Sequence, residues 1–313
     1  MHIIADKTFC PMQRYANILN DDAFKVVLLT PGNERLLSRM IELLLPGKHV
    51  QSLELRPTEQ HGLVIPDKNS IFDLYCTSET GEMFIVEMQY SPQDSYADRM
   101  LCYASFPIRM QMAAKQAAFR KEGLRDKMDY SLLPIYVVSI LNFSIGHSDE
   151  RTVRDGLLSR YCICCPDTGE QMTDSLHFTF LELGRFTIPF GKPEACRTPL
   201  DKFAYELKYM SHLEACPACF EDDPFLKMLL EAAEIANLSV DQQMQLERIM
   251  RTEIDRVAEI NYARKEGRAE GKAEARITAA KSLLAAGISL DTLIRALQLT
   301  EEEILKVKGM ENR

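Results

Sequence analysis

Ile71-Phe72-Asp73-Leu74-Tyr75-Cys76 and Met83-Phe84-Ile85-Val86-Glu87-Met88-Gln89 are two short apolar runs separated by Thr77-Ser78-Glu79-Thr80-Gly81-Glu82. Aromatic and branched residues flanking a polar, glycine-containing connection read as a β-hairpin. Pairing symmetric about Thr80 sets position 73 opposite position 87. Side chains alternate faces along a strand, so Glu87 and Gln89 share a face, which can carry Asp73 as well. Carboxylates directly opposite each other across a ladder repel. Two readings stand at this point: both carboxylates face solvent at the strand ends, or a cation bridges them. Asp, Glu and an amide oxygen suit a hard divalent ion such as Mg2+, Mn2+ or Ca2+.

Outward from the hairpin, residues 33–45 have helical periodicity and stop at Pro46-Gly47. A strand follows at about 50–56. Residues 94–120 read as a long helix with Tyr96, Met100, Tyr103 and Ala104 on one face. Pro107 is expected to kink or break it, because proline lacks the helical N–H and crowds the preceding turn. Residues 132–141 read as a buried strand. Two more strands, near 160–165 and 176–183, flank the turn signal Pro166-Asp167-Thr168-Gly169. This order predicts an α/β core, a mixed sheet flanked by helices, over residues 1–192.

After Pro189 the pattern is helical only, at 199–213, 223–236 and 241–276. The expected organisation is a helical region at 193–262, then a charged helix and small helical tail at 263–313. Glu266/Glu270/Glu274 and Arg268/Lys272/Arg276 form two like-charged stripes on one helix. Such a helix is either a solvated connector or one partner in a homo-oligomer built through the C-terminal helices. The tail from 277 reads as three short helices: Gly287 stops the first, Ser289 caps the second, and Thr300-x-x-Glu303 opens the third. Glu301-Glu302-Glu303 would repel phosphates, which argues against a DNA-reading helix-turn-helix there.

The 313 residues are 46% hydrophobic and 27% charged, ordinary for a soluble globular protein. No apolar run reaches the roughly 18 residues of a membrane span, and the N-terminus lacks a signal-peptide pattern. Nine irregularly spaced cysteines argue for a reducing compartment, so the expected location is cytoplasmic. Cys162-x-x-Cys165 and Cys216-x-x-Cys219 have zinc-like spacing, but the first lies in a predicted strand and the pairs are far apart; reduced thiols are the expectation. The six histidines show no metal-binding spacing. A net charge of −9 argues against global electrostatic attraction to nucleic acid, whereas the stretch 98–127 carries seven basic residues against three acidic ones.

One ordered set of residues is more specific. Asp22-Ala23-Phe24-Lys25, Asn33-Glu34-x-Leu36-Leu37, Lys68-x-Ser70-x-x-Asp73, Glu87-Met88-Gln89 and Arg99-x-x-x-Tyr103 together resemble the PD-(D/E)XK nuclease family transposases, or recombination-promoting nucleases. The resemblance extends through Leu176–Leu183 and into the charged helix and tail. It implies a restriction-endonuclease-like core, helix-strand-strand-strand-helix-strand, that cuts DNA with a divalent metal. Asp73 and Glu87 would ligate that metal, and Glu34 would be a third carboxylate beside it. Gln89 would complete the catalytic set where the superfamily usually has lysine. Lys25, Lys68, Arg99 and Tyr103 match positions near the substrate. Glutamine does not titrate, so Gln89 can orient a water but cannot serve as a general base.

Overall fold

The computed structural model describes residues 13–56, 59–60, 70–121, 129–147, 149, 153–154 and 156–309. The chain forms two compact units, Met1–Leu246 and Glu247–Arg313.

The first unit is built on α1 (Asp21–Leu28), α2 (Glu34–Leu44), β1 (Leu53–Leu55), β2 (Glu59–Gln60), β3 (Ser70–Ile71), β4 (Leu74–Ser78) and β5 (Met83–Gln89). Then come α3 (Tyr96–Lys121), β6 (Ile135–Leu141), β7 (Val153–Arg154), β8 (Leu158–Cys162), β9 (Leu176–Glu182), α4 (Pro199–Tyr209) and α5 (Pro224–Ala233). Seven strands form one sheet in the order β1-β4-β5-β6-β9-β8-β7, while β2 and β3 pair separately. The centre of the sheet is parallel, β5 to β6 to β9, and both flanks are antiparallel, so the sheet is mixed. The expected α/β fold class is therefore the one observed.

The hairpin β4–β5 closes through a turn at Gly81, whose φ of +83° favours glycine. Leu74 pairs with Val86 and Thr77 with Met83, the register expected from symmetry about Thr80. All seven residues of β6 are buried, as a central parallel strand covered on both faces requires. On one face, Phe72, Tyr75, Ile85, Ile135, Val137, Leu141, Phe178 and Phe180 pack under Tyr96, Met100 and Ala104 of α3. On the other side α1 approaches β5, α2 approaches β1, and α4 and α5 pack on α2.

Two local expectations are corrected. Of the two outcomes expected at Pro107, the break does not occur: α3 continues through it, and Pro107 is itself buried. Packing of the Tyr96/Met100/Ala104 face on the sheet outweighs the lost hydrogen bond. The first tail helix is not separate: α6 (Val240–Ala285) is one helix of 46 residues. Gly267 and Gly271 weaken a helix without ending it, and no proline interrupts the span. Residues 255–272 are exposed on every side.

In the second unit, α7 (Leu290–Leu297) starts at Ser289, whose side chain accepts the Thr292 N–H. Helix α8 (Glu301–Val307) starts with the Thr300/Glu303 capping box. Ala280, Leu299 and Val307 form a small core with Ile277, Leu290, Ile294, Leu297 and Ile304 around it. Arg276 pairs with Glu303 across it. No described helix is long and apolar enough to cross a membrane.

Candidate active site

Asp73, one residue before β4 and one step beyond the last ladder pair Leu74–Val86, meets Glu87 at the mouth of the hairpin. Each carboxylate is held by the other strand's backbone: the Asp73 N–H donates to Glu87 Oε1 at 3.2 Å, and the Met88 N–H donates to Asp73 Oδ2 at 2.7 Å. Both residues are buried, with 6% and 4% relative exposure, so the solvent-facing reading of the pair is wrong. Gln89 is equally buried, at 6%.

Two cations approach this acidic pair. Lys25, on α1, sits with Nζ 2.9 Å from Asp73 Oδ1. Asn20 fixes the start of that helix by accepting the Asp22 and Ala23 N–H groups. Arg99, in the first turn of α3, donates to Gln89 Oε1 and to Gln93 Oε1. Its guanidinium lies 5.1 Å from the centre of the Tyr96 ring and 5.7 Å from that of Tyr103. Tyr103 also packs edge-on against Phe72 at 5.2 Å, so its ring is shared between the site and the core. The buried Arg99 Nε has no partner among the described residues.

The cations do not fully compensate the acids. Burial pushes the Asp73 carboxyl above its ordinary range, and Lys25, the Met88 N–H and Arg99 oppose that shift without cancelling it. Glu87 is driven further up, first by burial and then by the Asp73 charge. Burial lowers the Lys25 ammonium, but Asp73 more than offsets this, so Lys25 stays protonated and cannot act as a base. The site holds a buried acidic pair whose charge Lys25 and Arg99 offset only in part.

An oxygen set of two carboxylates and the Gln89 amide fits a hard divalent ion, and Mg2+ in particular is commonly held by one or two carboxylates with waters and substrate phosphate. Among the described residues no group of three or more His, Cys, Asp or Glu is arranged to hold a metal, so the protein itself supplies a pair. Glu34 is not brought to it. Its carboxylate turns back to accept the Gly32 N–H at 3.1 and 3.3 Å. There it lines a separate cavity with Arg35, Ser38, Arg39, Glu42 and His49. Lys68 lies outside the described residues. Of the basic residues in 98–127, Lys115 is committed to Asp129 at 2.6 Å, and Arg125 and Lys127 also lie outside the described residues.

A family model for the PD-(D/E)XK nuclease family transposases matches residues 18–263. The chain belongs to that family. No curated protein and no solved structure matches it. For a PD-(D/E)XK nuclease family transposase, membership supports a nuclease- or transposase-related role, hydrolase chemistry in general, a DNA substrate and use of a divalent metal.

Sequence reasoning missed a second buried acid on this sheet. Glu182, at the end of β9, is fully buried. It accepts from the Ile145 N–H at 2.9 Å, Ser159 Oγ at 2.8 Å and Arg185 Nε at 3.1 Å, and lies 2.6 Å from His147 Nε2. Tyr161 Oη meets the other nitrogen of that imidazole at 3.2 Å. Burial alone would raise Glu182, but these partners together hold it below its ordinary range. An acid ending the apolar strand Phe178-Thr179-Phe180-Leu181 was the available signal. His147, 35 positions earlier, carried none.

Proposed function

We propose that the protein is a divalent-metal-dependent DNA endonuclease that hydrolyses phosphodiester bonds, in the service of mobile elements or DNA recombination. The observation that carries this reading is the buried, under-compensated pair Asp73/Glu87, locked in register by its own hairpin.

In this reading Asp73 and Glu87 would hold Mg2+, or Mn2+ or Ca2+ in its place, with Gln89 beside them. The ion would lower the pKa of an attacking water and neutralise charge building on the phosphate. Glu34 is left out of the ligand set because the Gly32 turn uses its carboxylate. Gln89 orients water through an amide that accepts or donates but does not take up a proton. Its oxygen now accepts from Arg99, so Arg99 must release or share it when substrate enters. A guanidinium at that position matches a phosphate in shape and charge, and Tyr96 and Tyr103 hold its plane. Lys25 keeps its charge and screens Asp73 until the ion and phosphate arrive.

The test is incubation of supercoiled plasmid with purified protein and each divalent ion, beside Asp73→Ala and Glu87→Ala. Metal-dependent nicking that both substitutions abolish supports the assignment. Nicking that survives Asp73→Ala sinks it. A second reading, a nuclease fold that binds DNA or assembles through its C-terminal helices without cutting, draws on the Lys25–Asp73 ion pair, which already occupies one acid, and on Gln89 in place of lysine. It predicts DNA retention with no turnover under any ion.

A further inference from the structure

Phe84 on β5, Tyr136 on β6, His177 on β9 and Cys162 on β8 are successive register partners across four adjoining strands. They alternate with Ile85, Val137, Phe178 and Tyr161, and the first three of those lie in the core under α3. The row therefore stands on the opposite face of the sheet, away from Glu87 and Gln89, which share the side of Ile85.

Three members of the row are stacked rings. Phe84 and Tyr136 lie 5.2 Å apart with planes 16° from parallel, and Tyr136 and His177 lie 4.8 Å apart at 10°. The strand spacing of roughly 4.8 Å sets this interval, so a fourth ring would continue the stack at the next strand. That place belongs to Cys162, which is exposed and too small to cover an imidazole face. The row stops one ring short.

A cavity of about 430 Å3 lies at this end, lined among others by Lys48, Tyr136, Arg160, Cys162, Asp174 and His177. Arg160 shares the face of Cys162, two residues away on the same strand, and is exposed with no partner among the described residues. Lys48 pairs with Glu82 at 2.8 Å, with Nζ 4.6 Å from the centre of the Tyr136 ring. The one carboxylate in the lining, Asp174, is engaged by His177 at 3.1 Å. The remaining uncommitted charge is the Arg160 guanidinium, which favours phosphate.

We propose that this cavity binds a nucleotide, its base stacked on His177 above Cys162 and its phosphate on Arg160. The volume suits a small ligand, for which sites of about 300–1,000 Å3 are usual. Base faces stack on aromatic rings with little regard to sequence, so the site selects an unpaired base rather than a particular one. The nucleotide can come from an unpaired stretch of a DNA strand or from free solution. The site is separate from the cleavage centre and does not depend on cutting.

The test uses the full chain in EDTA, titrated into a single-stranded oligonucleotide carrying a central 2-aminopurine, and into the same strand annealed to its complement. Fluorescence quenching is expected with the single strand and not with the duplex. Arg160→Gln and Cys162→Phe, the latter filling the fourth ring position with protein, are each expected to weaken the quenching titration about tenfold, the scale of one lost phosphate or stacking contact. Thermal melts establish that both variants fold. Competition by deoxyadenosine monophosphate supports free nucleotide as a source, whereas competition by unlabelled strand alone assigns the site to DNA strands. Quenching unchanged in both folded variants overturns the proposal. So does inorganic phosphate competing as well as the nucleotide, or an absence of quenching with the single strand. Plasmid nicking is scored separately, so failure here leaves the Asp73/Glu87 reading standing, and the reverse holds as well.

Discussion

Glu87 and Glu182 lie near the C-terminal ends of two strands of one sheet, on the same face, and both are almost fully removed from water. Glu182 is surrounded by donors: a backbone N–H, a serine hydroxyl, an arginine and a histidine. Its carboxylate is held below its ordinary range and its bonding is complete. Glu87 faces a second acid, receives one backbone N–H, and is held well above its ordinary range. Burial is common to both, so burial does not distinguish a structural acid from a reactive one. The balance of compensating charge does. Glu182 ties the loop at Ile145 and His147 to the sheet, while Asp73 and Glu87 are left only partly compensated, which is the basis for proposing them as a cation site.

The largest effect that could break this contrast is on cleavage. Asp73→Ala and Glu87→Ala should each reduce metal-dependent nicking on the order of a thousandfold, because the ion would lose a ligand and its effect on water and phosphate with it. Relaxation of supercoiled plasmid measures this. Next comes stability. Glu182→Ala leaves Arg185 and His147 facing a hole and should cost about 3–5 kcal/mol in urea unfolding. Glu87→Gln removes a repulsion and should leave stability unchanged or raise it by about 1 kcal/mol. Were Glu87→Gln the more damaging of the two, the contrast would fail.

A third buried acid sharpens the comparison through pH. Glu206 on α4 is fully buried, neither carboxyl oxygen has a hydrogen-bond partner among the described residues, and burial with the nearby Asp223 charge pushes it up to about 9. The unfolded chain releases this proton near the ordinary glutamate value, and the folded chain keeps it until about pH 9. Between those values the unfolded state binds fewer protons, so stability falls as pH rises, by up to about 1.4 kcal/mol per unit. Glu206→Gln should be more stable than wild type at pH 8 and should flatten that slope. Equal slopes in chemical denaturation across pH 5–9 would remove Glu206 from the set of uncompensated acids. The smallest effect is expected at Glu34. Glu34→Ala loses the bond to the Gly32 turn, should cost about 0.5–1 kcal/mol, and should leave nicking within about twofold. A collapse of nicking would restore Glu34 as a ligand.

The hairpin was legible because strand alternation and a polar connection centred on Thr80 determine its register, and that register, carried one step beyond the last pair Leu74–Val86, brings Asp73 to Glu87. The long helix after it was legible from the spacing of Tyr96, Met100 and Ala104, but its passage through Pro107 was not, since tertiary packing decides whether proline breaks a helix. The cap residues Ser289 and Thr300 announced α7 and α8, whereas nothing short of the fold joined the helix before them to α6. Spacing could not separate Glu34 from the site, because a first-turn glutamate reads the same whether it holds a metal or a turn. The Glu182 network and the ring row Phe84–Tyr136–His177 join residues from distant segments, and only the order of strands in the sheet assembles them.

Asp73 and Glu87 are proposed to form a cation site and Glu182 is not. Calorimetric titration of the metal-free protein with Mn2+ decides between these roles. Mn2+ uptake is expected, weakening as pH falls, since burial raises both carboxyls above their ordinary range and protons compete with the ion for them. That uptake should be lost in Asp73→Ala and Glu87→Ala and retained in Glu34→Ala. Undiminished Mn2+ binding in folded Asp73→Ala and Glu87→Ala would contradict that proposal.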